Sequence, residues 1–175
     1  QIYDRQAGTT IAISPEPPNA ESFAFTFANN GDLAFVSRAS NLVPDDTNET
    51  YDVFVWEAAT GQINRVNLAT NGGESDAAGG AQQFHEGVGE SMAISGNGRF
   101  VAFSSLGNDL TEDSVSQCED YRDFTRNCFN IFLHDRETGQ TELVINGDGD
   151  SLQPTLSEDG RYLAFASTAQ NLIPD

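Results

Sequence analysis

The chain has 175 residues, with 27 acidic and eight basic side chains and a formal net charge of −19 at pH 7. A charge this negative repels phosphate backbones and anionic lipid, so nucleic acid and membrane insertion are disfavoured, whereas divalent cations or cationic partners fit. No apolar run approaches the roughly 20 residues of a membrane-spanning helix. The start of the chain lacks the basic and apolar regions of a signal peptide, so we expect a leader to have been removed or never present.

One hairpin pattern occurs at three places. Each copy has a short β-type run, a turn that contains glycine, and a second short run. Because the pattern repeats, it predicts a single structural unit that is used several times. The copies span residues 2–14, 53–68 and 131–145, with turns at Ala7-Gly8-Thr9, Thr60-Gly61-Gln62 and Thr138-Gly139-Gln140.

A second hairpin pattern also occurs three times. An Asn-Gly or Asp-Gly pair, which favours a tight β-turn, is followed by a short strand that carries Ala-Phe. The three Ala residues, Ala34, Ala102 and Ala164, are separated by 68 and 62 residues. The first strands of these hairpins are predicted at 23–27, 91–94 and 152–156. The two hairpin types alternate along the chain, which predicts units of four antiparallel strands and an all-β fold.

The repeat resembles a known family. The stretches 95–105 and 157–167, together with 41–48 and 135–140, resemble the PD40 repeat of TolB-like and WD40-like β-propellers. This resemblance implies a β-propeller of four-stranded antiparallel blades. It implies less about function, because such propellers serve as binding platforms, enzyme lids and occasionally as enzymes.

In this register the sequence begins and ends inside a blade. Two complete blades and two half-blades make three blade equivalents, whereas propellers close with about four to eight blades. Two interpretations stay open: the half-blades pair between chains, giving a six-bladed ring or a filament, or the sequence is a fragment of a longer propeller. The predicted division is 1–14 (outer two strands of a split blade), 20–70 (blade), 71–90 (flexible linker), 90–146 (blade with a disulfide loop at 111–128) and 152–175 (inner two strands of a split blade).

Pairing between chains would make this protein a homo-oligomer. Residues 1–14 of one chain would then complete the blade that residues 152–167 of its neighbour begin. The side chains expected to pack at the junction are Ile2, Tyr3, Ile11, Ile13, Tyr162, Leu163 and Phe165.

The two cysteines, Cys118 and Cys128, lie ten residues apart in one polar segment. This spacing does not fit a C-x-x-C redox or zinc pair, so a disulfide that closes a long loop is the simplest prediction. A disulfide points to an extracellular or periplasmic location. Asn48 begins an Asn-Glu-Thr sequon, a weak prediction of glycosylation.

One acidic loop resembles a calcium-binding loop. Asp46, Asn48, Thr50 and Asp52 place oxygen side chains at alternate positions, with Asp45 adjacent, and hard oxygen ligands are what calcium prefers. Of these, Asp45, Asp46, Asn48 and Asp52 are the predicted ligands. The glycine and distal glutamate of an EF-hand are missing. The alternative is a solvated loop whose polar side chains cap turns. Calcium is the one cofactor predicted.

No catalytic residues are predicted. His134 occupies a strand position that Trp56 and Tyr3 fill in the other copies, and His85 beside Glu86 has no identifiable third ligand. There is no G-x-S-x-G elbow, and lysine is absent. We therefore expect an exported, non-catalytic scaffold that self-assembles. The alternatives are the propeller portion of a secreted hydrolase or polysaccharide lyase, and a platform that binds carbohydrate or protein.

Overall fold

The computed structural model describes residues 1–14, 16–76, 92–119 and 125–173. All regular elements in these ranges are β-strands, and none of the described residues forms a helix that could cross a membrane. Most of the predicted linker, with His85, lies outside the described residues. The strands are β1 (Ile2–Asp4), β2 (Thr9–Ile11), β3 (Ser22–Phe27), β4 (Leu33–Ser37), β5 (Asp52–Trp56), β6 (Ile63–Arg65), β7 (Met92–Ile94), β8 (Phe100–Ser105), β9 (Gln117–Glu119), β10 (Thr125–Asn127), β11 (Asn130–Asp135), β12 (Gln140–Ile145), β13 (Ser151–Leu156) and β14 (Leu163–Ser167).

Two four-stranded antiparallel sheets form the centre of the described structure. One has the order β3-β4-β5-β6 and the other β7-β8-β11-β12. Each sheet is a simple meander apart from the β9–β10 hairpin, which is inserted between β8 and β11. Two-stranded hairpins, β1–β2 and β13–β14, complete the set. The all-β prediction is therefore confirmed.

Glycine closes the same turn three times. Gly8, Gly61 and Gly139 have φ angles of +67°, +73° and +71°, in the left-handed region that residues other than glycine rarely adopt. Each donates its N–H at 2.8 Å to the carbonyl four residues earlier, on Asp4, Glu57 and Asp135 respectively. The β1–β2 hairpin thus has the turn that joins the third and fourth strands of both complete sheets.

The core lies between sheet faces that pack in sequence order. Between the two four-stranded sheets, Val36 and Val53 meet Phe103 and Phe132, all fully buried or nearly so. The opposite face of the first sheet, through Leu33, Phe35 and Phe54, packs against Ile2 and Ile13 of the first hairpin region. The β13–β14 hairpin packs on the far side of the second sheet.

Polar contacts also connect neighbouring sheets. The Arg136 guanidinium, which follows β11, reaches the first sheet and pairs with Asp32 at 2.8 Å and Glu57 at 3.0 Å. Backbone bonds join successive turns, from the N–H of Asn29 to the carbonyl of Gly96 and from Asn97 to Glu158. These bonds connect the first sheet to the second and the second sheet to the β13–β14 hairpin.

Candidate assembly site

Within the described part of the chain, β1 and β14 each leave unpaired a backbone edge that is paired in the equivalent strands of the complete sheets. In the described residues, β14 pairs only with β13, and β1 pairs only with β2. In the second complete sheet the strand equivalent to β14 is β8, which pairs on one side with β7 and on the other with β11. An open row of N–H and carbonyl groups is a template for another strand. We call these two open edges the β1 edge and the β14 edge.

The side chains predicted for the junction fall into two groups. Tyr3, Tyr162 and Ile11 are exposed, at 66%, 63% and 42%. Ile2 and Ile13 are half-buried because they already cover the first four-stranded sheet.

The remaining two predicted side chains, Leu163 and Phe165, are also half-buried. They belong to the β13–β14 hairpin, which packs on β7 and β8. The structure thus brings each half-blade onto its own neighbouring sheet. It does not bring the two half-blades together, since they lie in separate two-stranded sheets.

An exposed aromatic surface on β3 was not predicted. Phe25 and Phe27 are 51% and 56% exposed, on the sheet face that also carries Leu33 and Phe35. A cavity of about 250 Å³ beside Phe25 is lined by Ile13 and several other residues of the same region. The cavity lining includes Pro17, Phe25, Phe35 and Leu42.

A β-bulge explains why strand alternation did not reveal this surface. Alternation would place Phe23, Phe25 and Phe27 on one face of β3. At Ala24, where φ is +55°, the register to β4 shifts. As a result Phe23 packs edge-on against Tyr51 at 5.3 Å on one side, while Phe25 stacks on Phe35 at 6.1 Å on the other.

The cysteines form the predicted disulfide, Cys118–Cys128. It joins β9 to the residue after β10, so it closes the loop between the second and third strands of its sheet. Beside it, Arg126 forms a two-pronged ion pair with Asp150, which precedes β13, at 2.9 and 2.6 Å. The disulfide loop is thereby attached to the half-blade that follows.

The acidic loop predicted to bind calcium surrounds an arginine. The Arg65 Nη1 atom lies 3.8 Å from Asp46, 3.3 Å from Asp52 and 3.1 Å from Glu74. The side chain of Arg65 is only 7% exposed, and that of Asp52 is fully buried. Asn67 supports Asp52 with a hydrogen bond of 2.6 Å.

The carboxyl groups around Arg65 differ in acidity. Burial raises the pKa of Asp52, while Asn67 and Arg65 oppose that shift. Burial, helped by the charge of Asp52, raises the pKa of Asp46. Burial also opposes ionisation of Glu74, but hydrogen bonds from Thr47 and Arg65 outweigh it and lower the pKa of that carboxyl. Three carboxylates thus share one buried cation.

The other two predicted ligands have different roles. Asp45 contributes its backbone carbonyl, which accepts from Arg65 at 3.3 Å. The Asn48 side chain accepts from the backbone of Thr50 at 3.0 Å and donates to the carbonyl of Ser75 at 3.3 Å. Within the described ranges no group of three or more His, Cys, Asp or Glu side chains is arranged to hold a metal ion. Calcium binding and glycosylation of Asn48 stay predictions.

Calcium binding has a direct thermal test. If calcium binds, adding it should raise the melting temperature, and Asp46→Ala should abolish the rise, because ligand binding to the native state stabilises it. The measurement is differential scanning calorimetry with calcium or with chelator. Equal melting temperatures in both solutions would contradict the prediction and leave Arg65 as the cation of this loop.

His134 has a structural environment. It is 7% exposed on β11, and its Nδ1 atom lies 3.0 Å from the hydroxyl of Thr141 on the adjacent strand. Burial lowers its pKa. A buried imidazole bonded to the next strand agrees with the predicted role as a strand residue.

Comparison with known proteins supports the fold. No protein-family model and no curated protein matches the chain. Among solved structures, the β-propeller of dipeptidyl peptidase 4 from Porphyromonas gingivalis matches with a TM-score of 0.59 and 19% identity. The match covers 95% of this chain and 24% of the peptidase, so the chain spans about a quarter of that protein. TolB from Acinetobacter baumannii matches 87% of this chain and 39% of its own length at 14% identity, with a TM-score of 0.30.

These findings confirm a propeller-type all-β fold. Similarity at this level of identity shows the fold alone. The PD40 repeat assignment and the number of blades stay predictions, since no family model tests the first and the matched structures do not fix the second.

Proposed function

We propose that this chain is an exported, non-catalytic β-propeller scaffold that assembles with copies of itself by completing a split blade. In this proposal the β1–β2 hairpin of one copy pairs with the β14 edge of a second copy. The observation that carries it is structural equivalence. The β1–β2 hairpin has the turn of the third and fourth strands of a blade, and β13–β14 has the pairing of the first and second.

Surface chemistry supports the same arrangement. A composite blade would pack against the β3 face of the copy that supplied β1, where Phe25 and Phe27 are exposed and Phe25 lines the cavity. It would also cover Tyr3, whose equivalents Trp56 and His134 are largely covered within complete sheets. Fully burying one large apolar side chain contributes roughly 1.5–3 kcal/mol, so several together can offset the entropy lost on association.

The location and the absence of catalysis belong to the same proposal. The Cys118–Cys128 disulfide supports an oxidising compartment outside the cytoplasm. The buried, strand-bonded environment of His134 supports a structural role for this imidazole rather than a catalytic one.

The test is the mass of the purified chain in solution as a function of concentration. Light scattering after size exclusion should give multiples of the chain mass that increase with concentration or stop at a closed ring. Electron microscopy of the same sample distinguishes rings from filaments. A monomer at every concentration up to the millimolar range would overturn the assembly proposal.

A second candidate function follows from the structural comparison. The match of 95% of this chain to about a quarter of the peptidase favours an arc of blades within a longer protein. In that case strands of the same polypeptide would cover the β14 edge, and the activity would belong to the whole protein. Mass spectrometry of the intact native protein separates the two, because a mass well above that of these residues supports the longer protein.

A further inference from the structure

Two turns in the structure have the same hydrogen bonds. At the turn before β8, the Ser95 hydroxyl donates to Asn97 and accepts from the N–H of Phe100 at 2.9 Å. At the turn before β14, the hydroxyl of Ser157 donates to Asp159 and accepts from the N–H of Tyr162 at 2.9 Å. The residue before each aromatic ring is an arginine, Arg99 in the first turn and Arg161 in the second.

Arg99 has a carboxylate partner on the adjacent strand. It forms a two-pronged pair with Asp135 at the end of β11, with distances of 2.9 and 2.6 Å. Its guanidinium lies 4.9 Å from the centre of the Phe100 ring. Asp135 also caps its own turn, accepting from the N–H of Glu137 at 3.0 Å.

Arg161 adopts the same position without the partner. Its guanidinium lies 4.9 Å from the centre of the Tyr162 ring, as Arg99 does over Phe100. No carboxylate of the described residues forms an ion pair with it. The strand that would carry such a carboxylate is the one missing from the β14 edge.

Asp4 is the residue equivalent to Asp135. It ends β1, its carbonyl accepts from Gly8 as that of Asp135 does from Gly139, and its carboxylate caps the N–H of Gln6 at 2.8 Å. Like Asp135, it can cap the turn and still face a guanidinium on the adjacent strand.

We propose that Arg161 of one copy and Asp4 of a second copy form an ion pair that fixes the register of the composite blade. This rests on the proposed function, which supplies the second copy. In this register Tyr162 lies opposite Asp4, Leu163 opposite Tyr3, and Ala164 opposite Ile2, as Phe100, Val101 and Ala102 lie opposite Asp135, His134 and Leu133 in the complete sheet.

The direction of the backbone groups agrees with this register. The carbonyl of Tyr162 accepts from Ser157 within its own hairpin, so the N–H and carbonyl of Leu163 point to the open edge. The carbonyl of Asp4 likewise accepts a hydrogen bond inside its own turn, so the N–H and the carbonyl of Tyr3 point outward, to the β1 edge. Tyr3 and Leu163 can therefore exchange both hydrogen bonds. A shift by one residue would oppose groups that are already bonded, and it would separate Arg161 from Asp4.

The test is a charge exchange read by light scattering. Asp4→Arg and Arg161→Asp, each alone, place like charges at the junction, and we expect each to raise the midpoint concentration of assembly about tenfold. The double variant Asp4→Arg/Arg161→Asp restores opposite charges and should assemble near the wild-type midpoint. An equimolar mixture of the two single variants should also assemble, because each junction then joins opposite charges.

Asp4→Asn is the control for turn capping, since its side-chain oxygen can still cap Gln6, while circular dichroism checks that every variant is folded. Wild-type assembly with unchanged midpoints in both single variants would overturn the ion pair and leave the assembly proposal standing. Folded single variants that both weaken, without recovery in the double variant or the mixture, would also overturn the pairing. A monomeric wild-type chain would overturn both proposals.

Discussion

Replacing Arg65 by methionine should lower the free energy of unfolding by about 3–5 kcal/mol at neutral pH. The substitution keeps most of the apolar stem but removes the only cation among Asp46, Asp52 and Glu74 in the described structure. Breaking a buried ion pair leaves its carboxylates desolvated and uncompensated, which costs far more than losing a surface pair. Urea unfolding followed by circular dichroism gives the measurement.

The loss should shrink in acid. Burial already raises the pKa of Asp46 and Asp52 above that of an unfolded aspartate, and removal of the guanidinium raises both further. A folded state with raised carboxyl pKa values binds more protons than the unfolded chain, so its stability increases as pH falls from neutral toward the ordinary aspartate range. The difference between wild type and Arg65→Met should therefore be smaller at pH 5 than at pH 7.5.

Arg38→Met is the matched control. Arg38 is exposed and its Nε atom donates to a backbone carbonyl, that of Glu49. Its loss should change stability by no more than about 0.5 kcal/mol. Equal stability of Arg65→Met and wild type at pH 7.5 would contradict the role given to Arg65.

The sequence predicted most of the strand arrangement because turn chemistry repeats. Asn-Gly and Asp-Gly pairs and the glycines of the second hairpin type are local signals, and they locate the hairpins around residues such as Gly61 and Gly139. Once two hairpin types alternate, four-stranded antiparallel sheets follow. The disulfide was also predictable, because Cys118 and Cys128 have no other partner.

What the sequence could not supply depends on distant contacts. The loop of Asp46 and Asp52 has calcium-like spacing, but the cation beside it, Arg65, comes from a strand of the same sheet that local spacing does not relate to the loop. The exposed face of Phe25 depends on a bulge at Ala24, which alternation alone does not predict. The repeat aligns Arg161 with Arg99 and Asp4 with Asp135, but the ion pair between Arg99 and Asp135 is a contact between strands that the sequence does not show.

The last prediction concerns the core between the two complete sheets. Phe103→Ala should lower the free energy of unfolding by about 3–5 kcal/mol. Phe103 is fully buried on β8, and its ring stacks on Phe132 with centroids 5.9 Å apart. Because valines of the first sheet close the opposite side, the cavity left by truncation cannot collapse without separating the sheets. Urea unfolding measures the loss.

Phe27→Ala is the control for Phe103→Ala, because it removes the same atoms from the surface of β3. Phe27 is 56% exposed, so truncation there should cost at most about 0.5 kcal/mol of stability. If the β3 face is a junction, the same variant should weaken assembly at concentrations where it stays fully folded. When stability and mass are measured on the same samples, Phe103→Ala should therefore show the large loss of stability. Phe27→Ala should keep its stability and show the weaker assembly. A large stability loss from Phe27→Ala would show that this ring belongs to the monomer core, and an unchanged assembly midpoint would remove the β3 face from the junction.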